Sequence, residues 1–254
     1  MVSSSTEALT GLVRAASSPA SRALATAALF AAVPALVLGL ILVFTVGWIA
    51  GLVAFLVVGA GLGSWARLAG DRLVMARLAA READPRSEAR LCNLVEGLST
   101  GAGVRYPKLL IVDSPGLNAM AFGTTASRSA VAVTSGLLAE LDRIELEAVL
   151  AEALYQVRHE ETVPATVLAA TFGIGRPVAL RADQDATADQ GAVTLTRYPP
   201  ALASALEKIE RKGAVVDGQP SWMAHLWLAD PRRSAIPQRG RLLLHDRVEA
   251  LREL

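Results

Sequence analysis

Three histidines, His159, His225 and His245, are the first places to look for chemistry in this chain. Only His159 is followed by a glutamate, Glu160. A zinc-binding helix needs two imidazoles at i and i+4, so that both face one metal, with a glutamate beside the first as base. Four residues after His159 stands Val163, so that geometry fails. His225 and His245 have no ligand spacing to another histidine, and scattered histidines of this kind are ordinary surface or core residues. The single cysteine, Cys92, excludes an internal disulfide and fits a reducing compartment. A net charge of +1 argues against nucleic acid as a partner.

The composition points to a membrane. The chain is 52% hydrophobic, and residues 23–66 contain no Asp, Glu, Lys, Arg or His. That run is about twice the roughly 20 residues that span a bilayer as a helix. It predicts a transmembrane hairpin, with helices over 23–44 and 47–65 turning at Thr45-Val46-Gly47. Trp48 and Trp65 would sit at the two interfaces. Pro34 lies within the first helix, and Gly59, Gly61 and Gly63 would allow the helices to approach closely. A cleavable signal peptide is excluded by length, since its apolar region runs to about 7–15 residues. Arg14 and Arg22 precede the hairpin, and Arg67, Arg72, Arg77 and Arg81 follow it. The positive-inside rule then puts both termini in the cytoplasm of a multi-pass plasma-membrane protein. Residues 1–22 form a short N-terminal segment of unassigned role, and residues 67–254 a soluble domain.

Within that domain, 71–101 reads as helix divided at Pro85. Short strands are expected at Lys108–Val112, Asn118–Phe122 and Ala130–Thr134. Leu141–His159 reads as a strong helix, with Asp142 and Glu145 at capping-box spacing. The uncharged stretch 162–175 is too short to span and is expected as a buried helix. Further helices are expected at 181–197, 200–212 and 247–254. A few strands among many helices give a helix-dominated α+β class.

Taken in order, Pro107–Val112, Ser114-Pro115-x-x-Asn118-Ala119, Ala130–Leu138, Glu145–Ala151 (ELEAVLA), Ala188-Asp189 and Leu195–Ile209 resemble the membrane-bound HtpX-like zinc metallopeptidases, a gluzincin group. The resemblance implies a gluzincin-like metallopeptidase domain with a small β-sheet, and a place in proteolysis and protein quality control. It also implies a His-Glu-x-x-His helix directly after ELEAVLA, with a later glutamate as third zinc ligand. This chain departs at each point. The first histidine position is Glu152, the general-base position is Ala153, and the second histidine position is Gln156. The third-ligand position is Asp185, four residues before the family's Asp189 in the second shell. The family's His-Pro-Pro segment falls on Arg241-Leu242-Leu243. Zinc belongs to the parent family; for this chain no cofactor is expected. Glu152 and Asp185 would suit at most a hard cation or an acid–base dyad. Otherwise Glu152 and Gln156 satisfy each other, or polar neighbours, in a vestigial cleft. The family's second membrane hairpin is replaced by the short stretch 162–175.

Substrate-binding geometry can outlast chemistry, because strand addition uses backbone groups. The resemblance places a peptide-binding edge strand at Asn118 and Ala119 or at Val131, Ala132 and Val133. Trp222, Met223, Leu226 and Trp227 form an apolar cluster that would be either a contact surface, membrane-dipping included, or packing against the helix of Glu152. The expected function is a catalytically inactive HtpX-like protein, acting as a membrane-anchored scaffold or peptide-binding regulatory subunit. Its partners are the lipid bilayer and a membrane or peptide protein. The alternatives are an active metalloendopeptidase with an altered metal site and a structural subunit of a larger membrane complex. Oligomeric state is not legible.

Overall fold

The computed structural model describes residues 18–174, 180, 183–232 and 242–254. Residues 1–17 of the N-terminal segment, and Arg241, lie outside the described residues.

Two long apolar helices open it. Helix α1 runs Pro19–Thr45, started by Ser18, whose hydroxyl accepts from the Ser21 N–H. The chain turns through Val46 and Gly47 into α2, Trp48–Arg77. Both are long and apolar enough to cross a membrane. Gly59 and Gly63 do face the first helix, where a Cβ would stand 3.7 Å from Ala35 Cβ and 3.9 Å from the Ala27 carbonyl oxygen, but the tightest approach lies at Gly39 and Gly51. A Cβ at Gly51 would stand 2.6 Å from the Gly39 carbonyl oxygen and 2.3 Å from Val43 Cγ2, whereas Gly61 faces open space. The contact forms near the turn because a tight turn forces the two backbones together there. Trp48 and Trp65 are both exposed and, 17 residues apart on one helix, stand about 26 Å apart along its axis.

Helix α2 continues past the uncharged stretch to Arg77, after which Ala79 takes a positive φ of 49°. The chain reverses into strand β1, Ala80–Glu82, followed by α3, Ala89–Ala102. Strand β1 corrects the expectation of continuous helix across this stretch. Its three residues have no apolar alternation, so only pairing with a neighbour makes them a strand. Strands β2 (Lys108–Val112), β3 (Ala119–Phe122) and β4 (Ala130–Thr134) follow. The sheet order is β1-β2-β4-β3, with β2 and β4 parallel and the other pairs antiparallel.

Side chains alternate across this sheet and build two cores. Leu109, Ile111, Ala121, Val131 and Val133 face α3 and helix α5, Arg143–Arg158. Leu110, Met120, Phe122 and Ala132 face Val74 of α2 and Leu78 just past its end, together with Met223 and Trp227. Short α4 (Ser135–Glu140) is capped by Thr134, and α5 follows. The fully buried helix α6, Thr162–Ala170, packs on the hairpin through Val163, Val167 and Ala170 against Ala23, Ala27 and Ala66. A buried Arg22–Glu161 ion pair fixes the same junction. Thus the uncharged stretch in place of a second hairpin is the seat on which the first hairpin rests. Helices α7 (Gln184–Thr196), α8 (Pro199–Lys212) and α9 (Leu244–Arg252) complete the domain.

Asp142 starts α5 with a full capping box. Its Oδ1 accepts from Ile144 N–H at 2.8 Å and Glu145 N–H at 2.9 Å, and the Glu145 carboxylate accepts from Asp142 N–H at 2.9 Å. Removing such a cap costs about 1 kcal/mol. Asp142→Ala is therefore expected to destabilise the detergent-solubilised chain by about that much in chemical denaturation; an unchanged midpoint would show that the box contributes nothing.

Candidate functional site

Helix α5 carries Glu152, Ala153 and Gln156 on its inner turns, and α7 carries Asp185 and Asp189. The two helices touch because Gly191 has no side chain: a Cβ there would meet the Tyr155 ring at 2.0 Å. Helix α9 then crosses α7 and delivers Arg247. Arg247 is not among the expected site residues. Its guanidinium is 1% exposed and becomes the centre of the site. Nε donates to Asp189 Oδ2 at 2.8 Å and Nη2 to Asp189 Oδ1 at 2.5 Å, a two-pronged fork. Nη2 also lies 3.0 Å from Glu152 Oε2, an ion pair rather than a well-aligned hydrogen bond. Nη1 donates to the Leu228 carbonyl at 3.3 Å. Asp185 Oδ2 accepts from the Leu242 backbone N–H at 3.1 Å and adds its charge to the field at Arg247.

Burial opposes the charge on Arg247, but it is outweighed by Glu152, Asp189 and Asp185, and the pKa of Arg247 is raised above its ordinary value. A raised cationic pKa contributes stability that is fully present below the unfolded value and is lost only above it. For arginine that value is far into the alkaline range, so the Arg247 contribution does not titrate near neutral pH.

The other expected site residues part company here. Gln156 is half-buried, and its backbone carbonyl accepts from the Glu161 N–H at 2.9 Å. Glu152 therefore pairs with Arg247, and no hydrogen bond to Gln156 is formed. Val131, Ala132 and Val133 lie in β4, which has β2 on one side and β3 on the other. That corrects their assignment to an edge, because every ladder position of β4 is already paired. Strand β3 is at the edge, yet all four of its residues are buried. The chain's own Trp227 bridges to Met120, and Leu228 N–H donates to the Ala119 carbonyl at 2.7 Å. Asn118 is a buried clamp: its amide donates to the Ala214 and Ala229 carbonyls, both at 2.9 Å, and its Oδ1 accepts from Ala119 and Ala229 N–H. An exposed contact cluster is likewise corrected, since Met223, Leu226 and Trp227 are buried against the sheet. They pack on the sheet face opposite α5, not on α5. Trp222 alone stays half-buried, edge-on to Phe172 with centroids 5.4 Å apart.

The histidines stay apart. His159 stacks on Tyr155, His225 Nε2 bonds the Ala165 carbonyl at 2.8 Å, and His245 pairs with Glu249 on the surface. Among the described residues no three His, Cys, Asp or Glu side chains are grouped as a metal site.

The site is thus a small mixed sheet over a helix whose inner turns meet two acidic positions on a later helix. Peptidase family M48 matches residues 85–160 of the chain. The Protease HtpX homolog of Tropheryma whipplei is 31% identical over 218 residues, covering 69% of this chain and 75% of that protein. The Protease HtpX homolog of Dictyoglomus thermophilum is 30% identical over 235 residues, covering 76% and 77%. The chain belongs to the HtpX-like family of membrane metallopeptidases.

That family uses zinc. The residues here do not fit it. Zinc sites take nitrogen and sulfur donors with few carboxylates, and the positions at issue hold Glu152, Gln156 and Asp185. Two carboxylates, Glu152 and Asp189, already face a fixed cation at 3.0 and 2.5 Å. A dication placed beside that guanidinium would be repelled by it.

Proposed function

We propose that this protein is a catalytically silent HtpX-like homologue, a membrane-anchored scaffold whose former catalytic centre has become a structural core. The observation that carries this is Arg247, which commits Glu152 and Asp189 to an internal ion cluster. Ala153 supports it, because a methyl group cannot act as general base. Gln156 supports it as well, being neutral and without an imidazole. The acid–base dyad is disfavoured on the same ground: Glu152 lies within an ion pair, and Asp185 accepts a backbone hydrogen bond from Leu242. Between scaffold and peptide-binding subunit, the occupied edge of β3 favours the scaffold, since an incoming peptide would have to displace Trp227 and Leu228.

In this reading residues 23–66 cross the plasma membrane twice. Residues 1–22 and 67–254 face the cytoplasm, in keeping with the flanking arginines. The anchor places the domain beside membrane proteins, and the partner is one of these. The full chain purified in detergent is expected to carry less than one tenth of an equivalent of zinc and to show no chelator-sensitive cleavage of casein. One equivalent of zinc with such cleavage would overturn the reading in favour of an altered but active metal site. A membrane partner that co-purifies, and is lost when residues 23–66 are replaced by an unrelated hairpin, would place the chain as a structural subunit.

A further inference from the structure

A cavity of about 970 Å³ lies away from Arg247, where α2 leaves the hydrophobic stretch. Asp71, Arg72, Met75 and Ala76 present one face of α2 to it, being neighbours at i, i+1, i+4 and i+5. The opposite wall comes from the ends of the paired strands β1 and β2, with the segments beside them, and from the turn before β4. Four cations line it, Arg72, Arg105, Lys108 and Arg128, against the two carboxylates of Asp71 and Glu82. Those carboxylates are already engaged: Asp71 lies 3.7 Å from Arg128, and Glu82 lies 3.1 Å from Lys108. Among the described residues Arg72 and Arg105 have no ion-pair partner. Beneath the charged rim the lining is apolar, with Met75, Pro107 and Leu109. Tyr106 adds a hydroxyl that burial, then its hydrogen bond with Cys92, push up to about 12, so it stays a neutral donor.

The depth of the cavity selects its ligand. The unbroken uncharged run of α2 ends at Ala66, and Asp71 stands five residues on, about 8 Å along the axis. The headgroup layer on each side of a bilayer is roughly 5–7 Å thick. The cavity therefore opens at the outer edge of the headgroup layer, where the Arg72 side chain can snorkel back to the lipid phosphates. The geometry points to a binding site for the headgroup of one anionic phospholipid, its phosphate held by Arg72 on the bilayer side of the cavity and its headgroup extending toward Arg105. Arginine suits this role because its planar fork matches a phosphate, and basic pockets beside transmembrane helices hold anionic headgroups. The site is separate from Glu152 and Arg247 and holds whether or not the domain is catalytic.

The full chain in detergent micelles doped with phosphatidylglycerol or phosphatidylcholine tests this by native mass spectrometry. One phosphatidylglycerol per chain is expected to be retained at least about tenfold better than phosphatidylcholine, given the attraction each arginine supplies. Arg72→Gln with Arg105→Gln should abolish most of that preference without moving the thermal midpoint, both side chains being exposed and unpaired. Arg77→Gln with Arg86→Gln, outside the cavity on the same side of the chain, should leave it intact. Equal retention of the two lipids would overturn the site. So would equal losses from both double variants, which would mean a diffuse field. Full displacement of the lipid by millimolar inorganic phosphate would reduce the site to a simple anion site, and displacement by an acidic peptide would mark it as a protein-docking surface; both outcomes overturn the lipid assignment.

Discussion

Replacing Arg247 by methionine is expected to cost the fold about 3–5 kcal/mol, the usual penalty for removing one partner of a buried ion cluster. The side chain is of similar length, so the loss is not mainly one of packing. Glu152 and Asp189, 1% and 6% exposed, would be left facing each other with no cation between them. Chemical denaturation of the detergent-solubilised chain measures this directly. Arg247→Lys should fall between the two, since it keeps the charge but loses the two-pronged hold on Asp189. The informative control is a triple variant, Glu152→Leu, Asp189→Leu and Arg247→Met. Buried ion clusters exchanged wholesale for apolar residues are often neutral in stability, so the triple variant should recover most of what Arg247→Met loses. Recovery would show that the penalty comes from uncompensated charge. If Arg247→Met unfolds no more easily than the parent, the guanidinium does not hold this core together and the scaffold reading loses its main support.

The sequence carried the hairpin and the strands plainly, for physical reasons. Forty-four residues without a charge have few fates other than lipid, and KLLIV and AVAVT are short apolar runs between turn residues. The capping spacing of Asp142 and Glu145 is a local signal, and it is realised atom by atom. Strand β1 was hidden because Ala80–Glu82 owes its form to β2 alone. Arg247 was hidden because its partner Asp189 lies 58 residues away in the chain. One signal for it was present: Leu244, Arg247, Val248 and Leu251 form a helical stripe, with an arginine in the apolar seam. A charge in such a seam calls for a carboxylate partner, and Glu152, Asp185 and Asp189 were there to supply one. The small alanines of β3 and β4 fitted either a peptide-binding edge or a core, and nothing local separates these. What decides is which strand pairs with which, and that is a property of the whole sheet.

The second large effect is expected at Trp227. Its side chain is 1% exposed and is the largest fully buried one in the domain. It packs with Met120, Phe122 and Val74 on the face of the sheet turned toward α2. Truncating a buried tryptophan to alanine costs about 3–5 kcal/mol, because the cavity left behind closes only in part. Trp227→Ala should therefore destabilise about as much as Arg247→Met, but with a different signature. The bridge to Met120 and the Leu228–Ala119 hydrogen bond hold the outer side of β3, so amide exchange should rise first at residues 119–122 and 227–228. Arg247→Met should instead raise exchange on α5, α7 and α9. Trp227→Phe, which keeps most of the apolar volume, should recover more than half of the loss. The same variant tests the silent-edge reading. If β3 is idle because its own chain occupies it, Trp227→Ala should gain affinity for extended peptides that the parent lacks, measured by fluorescence anisotropy of a labelled β-strand peptide. A parent that already binds such peptides equally well would mean that Trp227 and Leu228 do not close the edge, and would return the protein to the peptide-binding class.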